Sequence, residues 1–323
     1  MTGNILVAIA AGFASALMFA SIVSGALVSL LLLYLAPLPL MVAALGWGPF
    51  SAAIGGATAA AILGLAFGLH YCVAFILAIA LPAWWLGHLT LLGRPHAGGN
   101  APADVAPALE WYPLGRILLW IVIFAAITTF VTLLAFGSDA PTIHQTMRAV
   151  LIRILEPAEI ASTDRRIDAV TAIAPGAGAI AITMTLTLNL WLAAKIAATS
   201  GQFCRPWPDL KTTTLPPLTL AALCAAIAFS FSGGLLAIFA QIACAALIIA
   251  YALTGFAVLH TVTLAWKNRA VWLICSYALM LVFSWPLLLM AALGVADTIF
   301  GLRRRYLTRQ RSLSPSKISQ LEP

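Results

Sequence analysis

Charge is what this chain has least of. Asp, Glu, Lys and Arg together make up 8% of its 323 residues, where a water-soluble domain carries about a quarter. Apolar residues make up 63%, and the mean hydropathy is +1.03. No water-soluble core hides that much apolar surface, whereas lipid solvates it directly and needs only segments of about 20 apolar residues. The sequence is therefore that of a polytopic membrane protein, with the lipid bilayer as its first partner and no nucleic acid. The net charge of +7 is no nucleic-acid footprint, because Arg303, Arg304, Arg305, Arg309, Arg311 and Lys317 crowd the carboxy-terminal end. Residues 303–323 accordingly read as a basic cytoplasmic tail, disordered and held against anionic headgroups.

Cysteine and catalytic motifs are equally thin. Of the five cysteines, Cys72, Cys224, Cys244 and Cys275 lie in apolar segments without CxxC spacing, so small buried thiols are expected there rather than disulfides or metal ligands, and Cys204 lies in a loop with no partner nearby in sequence. His70, His88, His96, His144 and His260 are scattered, whereas a metal site needs several converging donors. GxxxxGK[ST], HExxH and GxSxG are absent, and with them the corresponding phosphate, zinc and serine chemistries. The chain is expected to be a non-enzyme with no cofactor and no metal. Its start, MTGNILVAIA, lacks the basic region of a secretory signal.

What the sequence has is a series of apolar runs. They cover Ile5 to Leu35, Leu38 to Gly68, His70 to Leu92, Pro113 to Phe136, Ala169 to Ala198, Leu215 to Phe231, Gly233 to Leu264 and Ala270 to Leu302. The expected fold is an all-α transmembrane helical bundle of eight to nine spans, one domain over residues 1–302. The last run decides the parity. As one straight helix it would be about 50 Å long at ~1.5 Å per residue, and Trp285-Pro286 interrupts it, so it is either one kinked helix or a tight pair of short ones. Positive-inside counting slightly prefers the pair, which puts Arg94, Arg205, Lys211, Lys267, Arg269 and the carboxy terminus on one side and leaves Arg148, Arg153, Arg165 and Arg166, mixed with acidic residues, on the other. On that other side lies a long extramembrane loop, 137–168. Its Ile143, Met147, Val150, Leu151 and Ile154 recur at helical spacing, which fits an amphipathic helix lying on the bilayer or packed on its own bundle.

Two irregular stretches point to a cavity. Pro37, Pro39 and Pro49, with Gly46, Trp47 and Gly48 between them, predict a broken or re-entrant segment near residues 36–50, and broken backbone at membrane depth survives only when buried or lining water. In the run Ala174 to Ala179 the proline and glycines either break a span or mark where a helix starts at Pro175. Downstream, Thr185 and Asn189 share a helix face, as interhelical hydrogen-bonding groups or as cavity wall. In the first run Gly12, Ala16, Ala20 and Ser24 form a small-residue face that lets another helix approach closely, in this chain or in a partner subunit.

An aspartate, Asp297, precedes the arginines in LGVADTIFGLRRR. A carboxylate there costs at least ~2.5 kcal/mol on insertion scales unless paired or hydrated. With Arg303 and Arg304 it forms a candidate charged clamp, a proton or ion relay being the alternative.

APLPL with LGWGP after a small-residue helix, TLTLNLWLAAK running into SGQFCRPWPDL, and the closing LGVADTIFGLRRR together resemble the YybS-like family of bacterial membrane proteins, domain of unknown function 2232. The closing motif carries most of the likeness, through Gly294, Asp297, Phe300, Arg303 and Arg304. The resemblance implies a multi-pass bacterial inner-membrane protein of unassigned activity. It also implies a distant similarity to the substrate-binding subunits of energy-coupling-factor vitamin transporters, whose alanine-rich first helix docks a partner membrane subunit. The function expected is a transport-type module that binds a small solute between the broken segment and the Thr185/Asn189 helix. A non-catalytic membrane scaffold is the alternative.

Overall fold

The computed structural model describes residues 2–95, 109–155, 164–209, 213–265, 268–283 and 285–313. The described residues are all-α apart from one short hairpin. In order come α1 (Thr2–Ala20), α2 (Leu27–Leu35), α3 (Pro37–Trp47), α4 (Pro49–Phe67), α5 (Leu69–Phe75) and α6 (Leu81–Leu91). The strands β1 (Gly93–Pro95) and β2 (Leu109–Trp111) pair antiparallel. After them follow α7 (Leu114–Leu134), α8 (Ala140–Leu155), α9 (Asp164–Thr199), α10 (Leu218–Phe229), α11 (Gly234–Val262), α12 (Arg269–Val282), α13 (Pro286–Phe300) and α14 (Leu302–Leu313).

Among the described residues, seven helical stretches are long and apolar enough to cross a membrane, and α10, α12 and α13 are shorter apolar helices. This is an all-α, multi-pass membrane bundle. The expected runs divide differently at the start of the chain. The first two runs fold into three membrane-length stretches, Gly3–Ser24, Leu27–Trp47 and Pro49–Phe67. The chain turns at Gly25, where φ is 65°, and at Gly48, where φ is 95°, not at the prolines. Pro37 and Pro39 sit at the start of α3, where a missing N–H leaves little unsatisfied. The broken segment is thus two point interruptions, at Ala36 and at Gly48, with a regular helix between them. The last run is the tight pair, α12 and α13.

Three further expectations change. Pro175 neither breaks nor starts a helix: α9 runs through it from Asp164, and Gly176 and Gly178 beyond it take Ala245 and Thr129 at contact distance. Loop residues 140–155 form α8, and Ile143 is buried against the core with Met147 packed beside it, so this helix rests on its own bundle. Ile154's side chain and residues 156–163 lie outside the described residues. The basic tail is not disordered from its start, because α14 is helical to Leu313 and Arg303 is buried. Residues 314–323 lie outside the described residues, as do Lys211 and Lys267.

Glycine sets the closest packing. A Cβ on Gly12 would collide with the carbonyl oxygen of Gly55, so α1 and α4 touch backbone to backbone. Gly255 and Gly294 do the same for α11 and α13, against the carbonyls of Met290 and Tyr251. In lipid, where apolar burial drives no helix association, such approach supplies the dispersion and Cα–H···O contacts that do.

One end of the bundle collects cationic residues. Arg205 donates to the Thr90 carbonyl at 3.1 Å, Gly115 abuts Thr214, and Arg303 reaches the Thr213 carbonyl at 2.8 Å. Tyr306 donates to the Val262 carbonyl at 3.2 Å, and Arg269 lies 3.4 Å from His260. These contacts put the ends of α6, α9, α11 and α13 and the starts of α7, α10 and α12 together. Gly46, against Gln202, adds the end of α3. Arg148 and Asp168, 2.9 Å apart, mark the opposite end.

Candidate functional site

Around the interruption at Ala36, polar side chains from two other helices reach backbone carbonyls in an apolar setting. Asn189 Nδ2 of α9 donates to the Tyr34 carbonyl at 2.7 Å and to the Thr185 carbonyl at 2.8 Å. Ser15 Oγ of α1 donates to the Ala36 carbonyl at 2.6 Å. Ser15 and Asn189 are buried, so each bond stands where water cannot replace it. Asn189 Oδ1, also buried, has no hydrogen-bond partner. The neighbouring threonines satisfy themselves: Thr183 and Thr187 return their hydroxyls to the carbonyls of Ala179 and Thr183.

The candidate cavity residues do not all converge. A groove of about 400 Å³ lies between α1, α3 and the end of α9, and Pro39 and Trp47 help to line it with Ala10, Val42 and Ile196. Thr185, Asn189, Pro37, Gly46 and Gly48 are not part of its wall. Pro37 is buried in the bundle. The groove wall is apolar.

The small-residue face of α1 is used inside the chain. Gly12 meets Gly55, Ala16 is buried in the core with Ala20 packed against it, and Ser24 shares a hydrogen bond with Ser29 at 2.7 Å. A partner subunit would have to use another face of α1.

At the cationic end, Gly301 takes a left-handed conformation (φ 62°) and folds α14 back beside the end of α13. Arg303, rather than Arg304, then reaches Asp297. Its backbone N–H donates to Oδ1 at 2.9 Å, and its Nε and Nη2 donate to Oδ2 at 2.8 and 2.6 Å. Both side chains are 6% exposed. The carboxylate thus also faces the positive end of the α14 dipole, and the remaining guanidinium reach, to Thr213, ties in the α9–α10 connection. Arg304 is exposed. Nearby, Arg205 is buried beneath Trp111, 5.8 Å from its ring, and burial lowers its pKa from the ordinary value.

The contacts made by Ser15, Gly55, Arg205, Thr213 and Gly255 escape sequence reading. The prolines advertise freed carbonyls, but nothing in the sequence says which distant hydroxyl or amide will meet them. The glycines of α4 and α11 do not announce their partners either.

Comparison of the chain with models of known families, with curated proteins and with solved structures finds no match.

Proposed function

We propose that the protein is a non-catalytic, transport-type membrane module that binds an apolar solute in the groove between α1, α3 and α9. The supporting observation is the groove itself, a shallow, widely open apolar furrow of about 400 Å³. Its wall includes Leu38 and Pro39, just past the prolyl interruption. The bacterial inner membrane is the proposed location. The cationic end faces the cytoplasm, because positive charge gathers at one end and cytoplasmic loops carry such an excess. Mass spectrometry of the detergent-extracted protein tests the reading. A small apolar molecule retained by the wild type and lost in Ala10→Phe supports it; no groove-dependent ligand overturns it.

A non-catalytic scaffold is the second reading, and one observation favours it. Asn189 Nδ2 and Ser15 Oγ are spent in holding helices together, as a packing module requires and a polar solute site does not. Copurification of stoichiometric membrane subunits, with no small molecule, is its expected result.

A further inference from the structure

We propose that the groove's occupant is one acyl chain of an anionic glycerophospholipid whose phosphate meets Lys195; this rests on the groove being the ligand site. Three observations carry it.

The first is where the groove sits. Ile196, its α9 wall, lies on the last turns of that helix, and Trp47 closes α3 next to Gly48. Both belong to the cationic end, where Gly46 touches Gln202. The groove is therefore a slot in one leaflet, starting near the interface and running toward the bilayer centre along α1 and α3. An apolar slot open to lipid at that depth has acyl chains as its most abundant neighbours, and an extended chain fits a furrow between two helices.

The second is an uncompensated cation one residue before the groove's α9 wall. Lys195 precedes Ile196 on the same turn, about 100° around the helix at 3.6 residues per turn. Its Nζ stands 4.1 Å from the centre of the Trp207 ring and 5.9 Å from that of Trp191. No carboxylate pairs with it among the described residues, so its three N–H donors are left to solvent or to a lipid headgroup. Trp191 and Trp207 are themselves 44% and 43% exposed, as indoles are at the headgroup level of a membrane. They hold the ammonium where lipid phosphates lie.

The third is charge complementarity over the whole end. Arg304 and Arg305 are exposed there, so the surrounding field selects an anionic head over a zwitterionic one. A free solute would need polar recognition inside the groove, whereas an anchored amphiphile needs it only at the rim.

The full chain in a neutral detergent is titrated with phosphatidylglycerol, phosphatidylcholine or oleate and read by native mass spectrometry and thermal shift. One phosphatidylglycerol should be retained per chain. Ala10→Phe, which fills the groove, should abolish retention while elution on size exclusion stays unchanged. Lys195→Gln should weaken it about fivefold, the scale of one lysine beside an anionic headgroup, and Lys195→Arg should restore it. Equal retention of phosphatidylcholine, tighter retention of oleate, or indifference to Lys195→Gln would overturn the phospholipid assignment while leaving the groove as a site. Indifference of every ligand to Ala10→Phe and to Val42→Trp would overturn the groove as well, and with it the proposed function.

Discussion

Arg303 grips Asp297 twice, by its backbone N–H on one carboxylate oxygen and by its guanidinium on the other. Six residues separate them, a spacing that a continuous helix would not bring together. Gly301 does so by turning the chain left-handed between α13 and α14.

The first prediction follows from the burial of both partners. Breaking a buried pair by removing one side costs about 3–5 kcal/mol, because the other charge is left unpaired. Asp297→Leu and Arg303→Leu should each lower the melting temperature in detergent markedly, and Asp297→Asn less. Their double variant should recover part of the loss, as a coupled pair requires. Equal melting of wild type and Asp297→Leu would refute the clamp, and an Asp297→Asn form that folds normally but loses activity would favour a relay.

How much of this was legible beforehand depends on the range of the interaction. The solvent, the helical class and the pairing of α12 with α13 follow from hydropathy, Trp285-Pro286 and the distribution of arginine, all local signals. The turn at Gly25 was hidden because hydropathy continues through it, and the prolines at 37 and 39 attracted the boundary that belongs to glycines 25 and 48. Asn189 was visible as a polar residue on an apolar helix. Its partner, the Tyr34 carbonyl, was not, since a backbone acceptor leaves no mark in a sequence. Asp297 pointed to a partner among Arg303 and Arg304, but the choice of Arg303 is made by the left-handed turn at Gly301, which periodicity does not show.

The second prediction concerns the glycine contacts. A side chain at Gly12 or at Gly255 meets a carbonyl oxygen that cannot rotate away. Gly12→Val and Gly255→Val should each destabilise by at least the ~1–3 kcal/mol of ordinary overpacking. Gly3→Val, where a Cβ meets nothing within 4 Å, should be neutral, and equal melting of all three forms would contradict the packing.

The third separates a structural from a ligand-binding Asn189. Asn189→Leu deletes the donor to Tyr34 and should cost roughly 0.6–2 kcal/mol of stability, the scale of interhelical hydrogen bonds in membranes. Ser15→Ala should cost about 1 kcal/mol at the same interruption. An Asn189→Leu form with unchanged melting but no ligand retention would return this residue to the binding site.

The fourth is a pH effect at α8. Asp139 accepts from the Thr142 N–H and hydroxyl, both at 2.9 Å, and these bonds hold its carboxyl below the ordinary value. A depressed folded-state pKa means that the capping contribution is fully present above the ordinary carboxyl range and is lost as pH falls through the lower folded value. Backbone amides of the first turn of α8 should therefore exchange faster in acid, and Asp139→Ala should show that fast exchange at neutral pH. Identical exchange in the two forms at neutral pH would remove the cap.

The last prediction turns the two ends of the bundle into an orientation. The contacts of Arg205 with Thr90, Arg303 with Thr213 and Tyr306 with Val262 place the β1–β2 hairpin, the α9–α10 connection and α14 at one end. Arg148 and Asp168 stand at the other. If positive charge sets the orientation, reporters fused after Pro323 and inserted between β1 and β2 should both be active in the cytoplasm. A reporter placed at Ser138, between α7 and α8, should be active only on the far side. Reversal of all three would keep the bundle and overturn the orientation, whereas opposite signals from the hairpin and the carboxy terminus would contradict the paired course of α12 and α13. Moving Arg304 and Arg305 into the α7–α8 connection should then weaken the bias, since the orientation responds to where short loops carry their lysines and arginines rather than to the net charge.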